Sequence, residues 1–394
     1  MSQDIIKVIK EKSQNILPLI INVRRHIHKF PELSFQEIET AKYIKSILTD
    51  YKIEIDESFG ENTAIGIIRG KKTGKNIALR ADIDALPINE ENNTEYSSTK
   101  PGIMHACGHD AHAASLIGTA IILKELSNFI KGNIILIFQP AEERNPGGAK
   151  ILIEKGILKK YQITNIIAQH VTPEVKTGHF CFGSGNLMAS TDELYIEFSG
   201  VGGHAALPAK RSDTTLAVVD FIKKANDLQN ELNVKTPVII AFGKINVDGS
   251  VNVIPPLSKA EGTMRTFDEN TRKYIKEHLK DLAKKIAKNY DCTVNFEIRD
   301  GYPSLINNTI LSEKVLGIAK EYIPVESVEE FKPRMTSEDF AFFSREIPAV
   351  LYRSGIEGNG FGKTGLHHPN FDIDESFFSY STGLMAYIAL KISS

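Results

Sequence analysis

The sequence predicts an α/β protein in which a mixed, largely parallel sheet is covered by helices, with a smaller α+β domain inserted into the chain. In the first half, short apolar runs with β-branched residues alternate with longer segments of helical spacing. Fully apolar strands separated by helices are typical of a parallel sheet that is buried on both faces. In the middle, the predicted order becomes strand–helix–strand–strand–helix–strand. That order is typical of a small open sheet with two helices on one face, as in ferredoxin-like domains.

The individual elements follow these patterns along the chain. In the first half, the periodicity predicts an amphipathic helix at 16–23, helices at 37–48 and 109–126, and strands at 64–69, 76–80, 133–138 and 165–170. The middle region is predicted to contain strands at 193–199, 238–245, 259–265 and 293–298 and helices at 213–232 and 270–288. The last part is predicted to form a helix at 310–322, a strand at 349–353 and a helix at 375–391. We therefore expect a discontinuous main domain, 1–185 and 300–394, and an inserted domain, 186–299.

Composition excludes several classes of protein. The chain has 394 residues, of which 42% are hydrophobic and 24% are charged, the balance of an ordinary globular protein. A formal net charge of −2 provides no electrostatic footprint for nucleic acid or for a membrane surface. Residues 1–12 lack the features of a secretory signal. The three cysteines are widely spaced and odd in number, which argues against a disulfide framework and favours a cytoplasmic location.

The segment Met104–His112, with the sequence MHACGHDAH, concentrates residue types that bind metals. It holds three of the eleven histidines and one of the three cysteines. Cys107 and His109 are two residues apart and can reach one metal ion from a loop. The helix predicted to begin near Asp110 favours a thiolate at its positive end. Taken alone, the segment is also compatible with a buried cysteine beside surface histidines, or with a cysteine nucleophile that has His109 as its base.

Two carboxylates and further histidines extend this pattern. Glu142 and Glu143 follow the apolar strand NIILIF, at the end of the strand where ligand sites of open α/β sheets assemble. One of two adjacent carboxylates can bind a metal while the other acts as a base. His170 ends another apolar run, and His367 and His368 precede a proline. Each of these features alone is compatible with a solvated loop or a structural histidine. Together they provide ligands for two divalent cations and a spare glutamate.

A set of short motifs runs in order through nearly the whole chain: RRHIHKFPELSFQE (24–37), ALRADIDALPINEE (78–91), MHACGHDAHAASL (104–116), IFQPAEE (137–143), AQH (168–170), GGHAALP (202–208), NVIPP (252–256), EGTMRTF (261–267), TSEDFAFF (336–343) and LHHPNFDID (366–374). In these motifs the sequence resembles the amidohydrolase branch of the dinuclear zinc carboxypeptidase/aminoacylase family. That branch contains hippurate hydrolases, N-acyl-L-amino-acid amidohydrolases, N-acetyldiaminopimelate deacetylases and hydrolases of auxin–amino-acid conjugates. The resemblance implies a zinc-peptidase-like catalytic domain with an inserted lid that also mediates dimerisation.

The resemblance also implies a role for each matching residue. The metal ligands would be Cys107, His109, Glu143, His170 and His367, where His367 matches the family pattern better than His368. Cys107 would take the bridging place that an aspartate holds in the peptidase branches. Those branches have a histidine ligand in a H-x-D motif, whereas this chain has Arg80-Ala81-Asp82. The resulting mixed-ligand site would hold two divalent ions per subunit, Mn or Zn first and Co or Ni as further possibilities.

The remaining implied roles concern catalysis and substrate binding. Glu142 would be the general base that takes a proton from the attacking water and passes it to the leaving amine. His204 would stabilise the oxyanion and would reach across a dimer interface into the partner's site. Arg265 and Asn252 would bind the substrate carboxylate, because arginine can bind a carboxylate with two parallel hydrogen bonds. Asp82 would orient a ligand or a backbone loop rather than bind the metal itself, and we give Asp110 and His112 the same status.

These observations predict a metal-dependent amidohydrolase that cleaves small N-acyl-L-amino acids with acetyl, benzoyl or similar acyl groups. It is expected to act as a homodimer formed through the lid, without nucleic acid or membrane partners. A dipeptidase or carboxypeptidase of the same family is the nearest alternative. A cysteine hydrolase would have no use for the paired glutamates and distant histidines. An inactive, metal-free dimer that only binds its ligand is also disfavoured, because such a protein would be expected to have lost a ligand or Glu142.

Overall fold

The computed structural model describes residues 2–233 and 236–393. The chain divides into two compact units, which are described separately below. The first contains 1–185, 306–332 and 339–394, and the second contains 186–305 and 333–338. None of the helices within the described ranges is both long and apolar enough to cross a bilayer.

The helices and strands, numbered in chain order, have the following bounds. The helices are α1 Ser2–Lys29, α2 Ile38–Asp50, α3 His109–Glu125, α4 Gly148–Glu154, α5 Ile157–Lys160, α6 Thr214–Leu232, α7 Glu269–Asn289, α8 Thr309–Tyr322, α9 Ala341–Glu346 and α10 Phe378–Ile392. The strands are β1 Glu54–Asp56, β2 Ala64–Arg69, β3 Asn76–Asp82, β4 Asn133–Gln139, β5 Ile163–Lys176, β6 Phe180–Phe182, β7 Gly185–Met188, β8 Asp192–Ser199, β9 Gly203–His204, β10 Val238–Val247, β11 Val253–Ile254, β12 Leu257–Thr266, β13 Thr293–Asp300, β14 Leu305–Asn307, β15 Val328–Glu330 and β16 Ala349–Glu357.

The first unit is built on an eight-stranded mixed sheet of order β1-β2-β4-β3-β5-β16-β6-β15. Its centre is parallel, since β4, β3, β5 and β16 run in one direction, while β1, β2 and β6 introduce antiparallel pairs. The central strands are buried along most of their length because helices cover them. This confirms the predicted α/β class with a largely parallel sheet.

Parallel strands end at the same edge of a sheet, and this edge carries the polar motifs of the first unit. β3 ends at Asp82, which lies opposite Gln139 at the end of β4. β5 passes through His170, which lies opposite Arg353 on β16. The sheet therefore brings together segments that are far apart in sequence, at the position where open α/β sheets bind ligands.

The second unit has the predicted strand–helix–strand–strand–helix–strand order. Its four-stranded antiparallel sheet has the order β10-β12-β8-β13, the arrangement of a ferredoxin-like fold. Residues alternate between buried and half-buried along β8, because one face packs against the helices α6 and α7. Apolar side chains from both helices and from the strands form a separate core, including Phe198, Phe221 and Leu279.

Candidate metal centre

Six residues predicted from the sequence meet at the edge of the sheet in the first unit. Donor atoms of three groups lie within 4.8 Å of one another, namely Cys107–His109–His170, Cys107–Glu143–His367 and His109–Glu142–Glu143. Cys107 belongs to two of these groups, and Glu142 belongs to neither of those two. The structure thus brings all five predicted ligands together, with the predicted base beside them.

The backbone around Cys107 and His109 explains why they can share one site. Gly108, between them, has φ of +83°, and a Cβ atom there would lie 2.5 Å from Cγ2 of Val171. Only glycine adopts this left-handed conformation without strain and leaves room for the neighbouring strand. Gly108 is the last residue before α3, so His109 becomes the first helical residue while Cys107 stays in the preceding loop.

His109 is oriented as a metal-binding histidine would be. Its Nδ1 lies 2.9 Å from the carbonyl oxygen of Asp84 and 3.1 Å from Asp84 Oδ1, which fixes the ring. Its buried Nε2 has no hydrogen-bond partner among the described residues. That nitrogen faces three carboxylates, at 3.8 Å from Asp82 Oδ2, 3.9 Å from Glu143 Oε1 and 4.0 Å from Glu142 Oε2. An unpartnered buried nitrogen that faces carboxylates fits a cation between them.

The electrostatics of the site also favour a cation. Burial alone would lower the pKa of His109, but the charges of Asp82 and Cys107 raise that pKa well above its ordinary value. Positive charge is therefore stabilised at this position, as a divalent ion requires. Burial and the charge of Glu143 raise the pKa of the Cys107 thiol. A cysteine nucleophile and a cysteine metal ligand both require the thiolate, so Cys107 needs an added positive charge to ionise, and a bound divalent ion would supply it.

His170 and His112 are neighbouring histidines that differ in the contacts of their ring nitrogens. Nδ1 of His170 lies 2.7 Å from the carbonyl oxygen of Val171, and its Nε2 lies 3.7 Å from Sγ of Cys107. By contrast, both ring nitrogens of His112 are occupied, since Nε2 accepts from the Val171 N–H at 2.8 Å and Nδ1 contacts Asp82 at 2.5 Å. His170 can therefore offer Nε2 to a metal, whereas His112 braces Asp82 and the strand.

Of the two consecutive histidines, His367 is the one grouped with Cys107 and Glu143. Its Nε2 lies 3.1 Å from Glu143 Oε1, and Cys107 and Glu143 together raise the pKa of its imidazole to about 10. A positive φ of 62° and a 2.7 Å hydrogen bond from its N–H to the Ala106 carbonyl hold the loop in place. His368 instead accepts a hydrogen bond from the Asn370 N–H.

A buried polar network around the ligands was not predicted from the sequence. The guanidinium of Arg80 donates to Asp82 at 2.6 Å, to Gln139 at 2.9 Å and to Asp339 at 2.8 Å. The backbone N–H of Asp339 donates to Glu142 Oε1 at 3.3 Å. An arginine in the middle of the apolar run IALRADI was the available signal, because such a residue needs buried partners.

The other three predicted site residues belong to the second unit. His204 on β9 is exposed and lies beside Asn252, since the Ala205 N–H donates to the Asn252 carbonyl at 2.8 Å. Arg265 on β12 is half-buried, and its Nη1 donates to the Met335 carbonyl at 3.2 Å. Burial lowers the pKa of Arg265, and no carboxylate within the described ranges counteracts this shift.

The fold and the clustered ligands define a metal-dependent hydrolase, and comparison with known proteins gives its family. Residues 78–391 match the model of Peptidase family M20/M25/M40, and the chain belongs to this family. It is 34% identical to thermostable carboxypeptidase 1 of Saccharolobus solfataricus, over 99% of each chain. It is 36% identical to N-acetyl-L-cysteine deacetylase of Bacillus subtilis, over 92% of this chain and 87% of the other.

A solved structure supports the same assignment. A Bacillus subtilis protein described as a dinuclear metal-binding peptidase of the M20 family has a TM-score of 0.84 and 32% identity, covering 96% of this chain and 99% of that one. The chain is thus a hydrolase of amide bonds that uses divalent metal, as predicted. The identity of the metal, the substrate and the roles of individual residues stay predictions.

Proposed function

We propose that the protein hydrolyses N-acyl-L-amino acids to a carboxylic acid and a free amino acid. The observation that carries this proposal is the pair of adjacent carboxylates after β4: Glu143 is grouped with Cys107 and His367, while Glu142 stands outside both groups that share Cys107. Two divalent ions, Mn or Zn first and Co or Ni next, would be held by Cys107, His109, Glu143, His170 and His367. When bound, such ions make water more acidic and polarise a carbonyl group.

Glu142 is proposed as the general base. The residue is 6% exposed, so it is shielded from solvent yet able to reach a water that enters the site. It takes a proton from the attacking water and delivers it to the nitrogen of the leaving amine, as general acid–base catalysis requires. The Asp339 N–H, at 3.3 Å from Oε1, holds the carboxylate in one orientation during both transfers.

The proposed substrate class rests on a position suited to bind a substrate carboxylate and on the activities named for the relatives. A half-buried arginine without an acidic partner among the described residues is suited to receive a carboxylate from outside, and we assign this role to Arg265, with Asn252 as a further hydrogen-bond donor. N-acetyl-L-cysteine and N-acetyldiaminopimelate deacetylases among the relatives support an N-acyl amino acid. The carboxypeptidase relative, at 34% identity over 99% of this chain, favours peptides as the second candidate, because they have the same free carboxylate.

We also propose a homodimer formed through the second unit, with His204 acting in the partner's site. Near His204, the side chains of Val201, Leu207 and Val251 are exposed, and exposed apolar groups close together favour a partner surface. The strand β10 is at an edge of its sheet and can accept another strand. The Ala206 N–H donates to Nδ1 of His204 at 3.1 Å, which leaves Nε2 to donate to an oxyanion.

Amine release from a panel of substrates tests the reaction. Metal-free protein is supplied with Mn, Zn, Co or Ni and with N-acetyl and N-benzoyl amino acids or dipeptides, with a chelator as control. We expect metal-dependent release from N-acyl amino acids. Glu142→Gln should lower kcat about 10²–10⁴-fold with metal content retained. The exposed Glu154→Gln, a matched change on α4, should leave kcat unchanged. Release from dipeptides alone would instead establish the peptidase alternative.

Mixing two inactive variants tests the shared site. In a heterodimer of Glu142→Gln and His204→Ala chains, one site would combine an intact Glu142 with the partner's intact histidine. Activity should therefore reappear after the subunits exchange, although each variant alone is inactive. If heterodimers form and no activity returns, His204 does not act across the interface.

A further inference from the structure

The buried carboxylate of Glu37 contacts the loop that contains the proposed base. Glu37 is fully buried and immediately precedes α2. Its Oε1 accepts a hydrogen bond at 2.7 Å from the backbone N–H of Ala141, a residue 104 positions further along the chain, and another at 3.0 Å from Phe35. Its Oε2 accepts from the Asn62 side chain at 3.3 Å. The predicted mechanism gives this carboxylate no role.

Capping of α2 does not explain why the Glu37 carboxylate is buried. A residue in this position commonly caps the helix with its side chain, but the Glu37 side chain makes no such bond. The first turn of α2 is instead served by Glu32, whose Oε2 accepts from the N–H and hydroxyl of Thr40 at 2.8 and 2.9 Å. Burial, together with the charge of Asp84, raises the pKa of Glu37 to about 7, so this position is unfavourable for an ionised carboxylate. Another contact must therefore explain why a carboxylate is buried at this position, and the structure shows the hydrogen bond from the Ala141 N–H.

Ala141 is the residue whose conformation sets the direction of the next side chain. Its φ is +54°, a left-handed backbone conformation that residues other than glycine rarely adopt. Its N–H bonds to Glu37, and its carbonyl accepts from the Gly148 N–H at 2.9 Å. On the far side of the base, the N–H of Glu143 donates to Asp84 Oδ2 at 2.9 Å. Two buried carboxylates therefore hold the backbone on both sides of Glu142.

We propose that Glu37 is a positioning residue for Glu142, acting by holding the Ala141 peptide in its left-handed conformation. This inference rests on the proposed role of Glu142 as the base. What positions the loop is the reach of the oxygen acceptor rather than its charge. An amide oxygen at the same distance still accepts from the Ala141 N–H, although more weakly than a carboxylate does.

Two conservative substitutions separate reach from charge. Glu37→Gln keeps an oxygen at the same distance and removes the charge, whereas Glu37→Asp keeps the charge and withdraws the oxygen by one methylene. We expect Glu37→Gln to retain kcat within about threefold. Glu37→Asp should lower kcat about 10- to 100-fold, because a displacement near 1 Å has effects of this size. KM should change less than threefold in both variants. Glu39→Asp, at an exposed position of the same helix, is the matched control.

Hydrogen exchange in the metal-free protein gives a readout that does not depend on activity. The amide of Ala141 should exchange at least about tenfold faster in Glu37→Asp than in the unchanged chain, and at the unchanged rate in Glu37→Gln. If Glu37→Gln loses kcat and Glu37→Asp does not, charge matters and the inference is wrong. Equal exchange in all variants overturns it as well. If the unchanged protein cleaves no amide, the proposed function fails, and the exchange rates alone decide whether Glu37 holds the loop.

Discussion

At the scale of single residues, Asp84 links three parts of the candidate site. Its Oδ2 accepts from the Ser34 hydroxyl at 2.7 Å and from the Glu143 N–H at 2.9 Å, while its carbonyl and Oδ1 contact His109 Nδ1. It thus orients one proposed ligand and the backbone of another. Partners of this kind commonly change metal affinity by 10- to 100-fold, although they never touch the metal.

We therefore predict that Asp84→Asn weakens metal binding about 10- to 100-fold. The substituted amide keeps one acceptor but places an NH₂ group where an oxygen now receives hydrogen bonds. Competition with a metal-sensitive dye measures the affinity. The exposed Asp50→Asn, at the end of α2, should bind like the unchanged protein. An unchanged affinity in Asp84→Asn would show that His109 keeps its orientation without this carboxylate.

Candidate site residues could be predicted from the sequence where metal-binding residue types cluster or where carboxylates directly follow an apolar strand. Cys107 and His109 were found by clustering, and Glu142 and Glu143 by their place after an apolar run. Glu37, Asp84 and Asp339 were not assigned roles, because their contacts depend on burial and on partners 50 to 200 residues away along the chain. A single carboxylate in a sequence is usually solvated, and no spacing rule distinguishes the exceptions.

At the scale of secondary-structure elements, a buried arginine joins α1 to α3 and to the C-terminal loop. Arg24 is fully buried, and its guanidinium donates to Asp110 at 2.7 Å and to Asp372 at 2.7 Å. Asp110 lies in the first turn of α3, directly after His109. The ion pairs therefore fix the helix that begins with a proposed metal ligand.

Arg24→Leu is expected to lower the free energy of unfolding by about 3–5 kcal/mol, because it removes the buried guanidinium that pairs with Asp110 and Asp372. Arg25→Leu is the control on the same helix. Its side chain is 40% exposed, and its ion pair with Glu375 should contribute at most about 1 kcal/mol. Denaturant unfolding measures both. Equal decreases in the free energy of unfolding of the two variants would show that the buried ion pairs of Arg24 stabilise the fold no more than the exposed ion pair of Arg25.

The longer elements could be predicted because their periodicity is set by burial along many residues. The strands β2 and β4 and the helices α3, α6 and α7 lie within a few residues of their predicted bounds. The short strands β1, β6 and β15 were missed, since three residues carry no periodicity and form strands only by pairing with a neighbour. α1 extends from Ser2 to Lys29 although only 16–23 was predicted, and Pro18 within it weakens any helical signal.

At the scale of the whole molecule, we expect metal binding and folding to be coupled. The carboxylates of Asp82, Glu142 and Glu143 all lie within 4.0 Å of His109 Nε2, and a cation bound among them would relieve their mutual repulsion. Each occupied site should stabilise the folded chain by about 2.7 kcal/mol when free metal is a hundredfold above Kd. Calorimetry with increasing Mn or Zn should show a rising Tm, reversed by a chelator. His109→Ala should reduce the shift, and an unchanged Tm in the parent chain would contradict a preformed site.

The discontinuity of the first unit has a consequence for the order in which the protein is made. β16 lies in the sheet between β5 and β6, and His367 follows it, yet both are encoded after the whole of 186–305. A chain emerging from the ribosome exposes Cys107, His109, Glu143 and His170 long before the last proposed ligand appears. The nascent chain therefore offers incomplete coordination for most of its synthesis. Hydrolytic competence would arise only after β16 and His367 have been made and β16 has inserted into the sheet between β5 and β6.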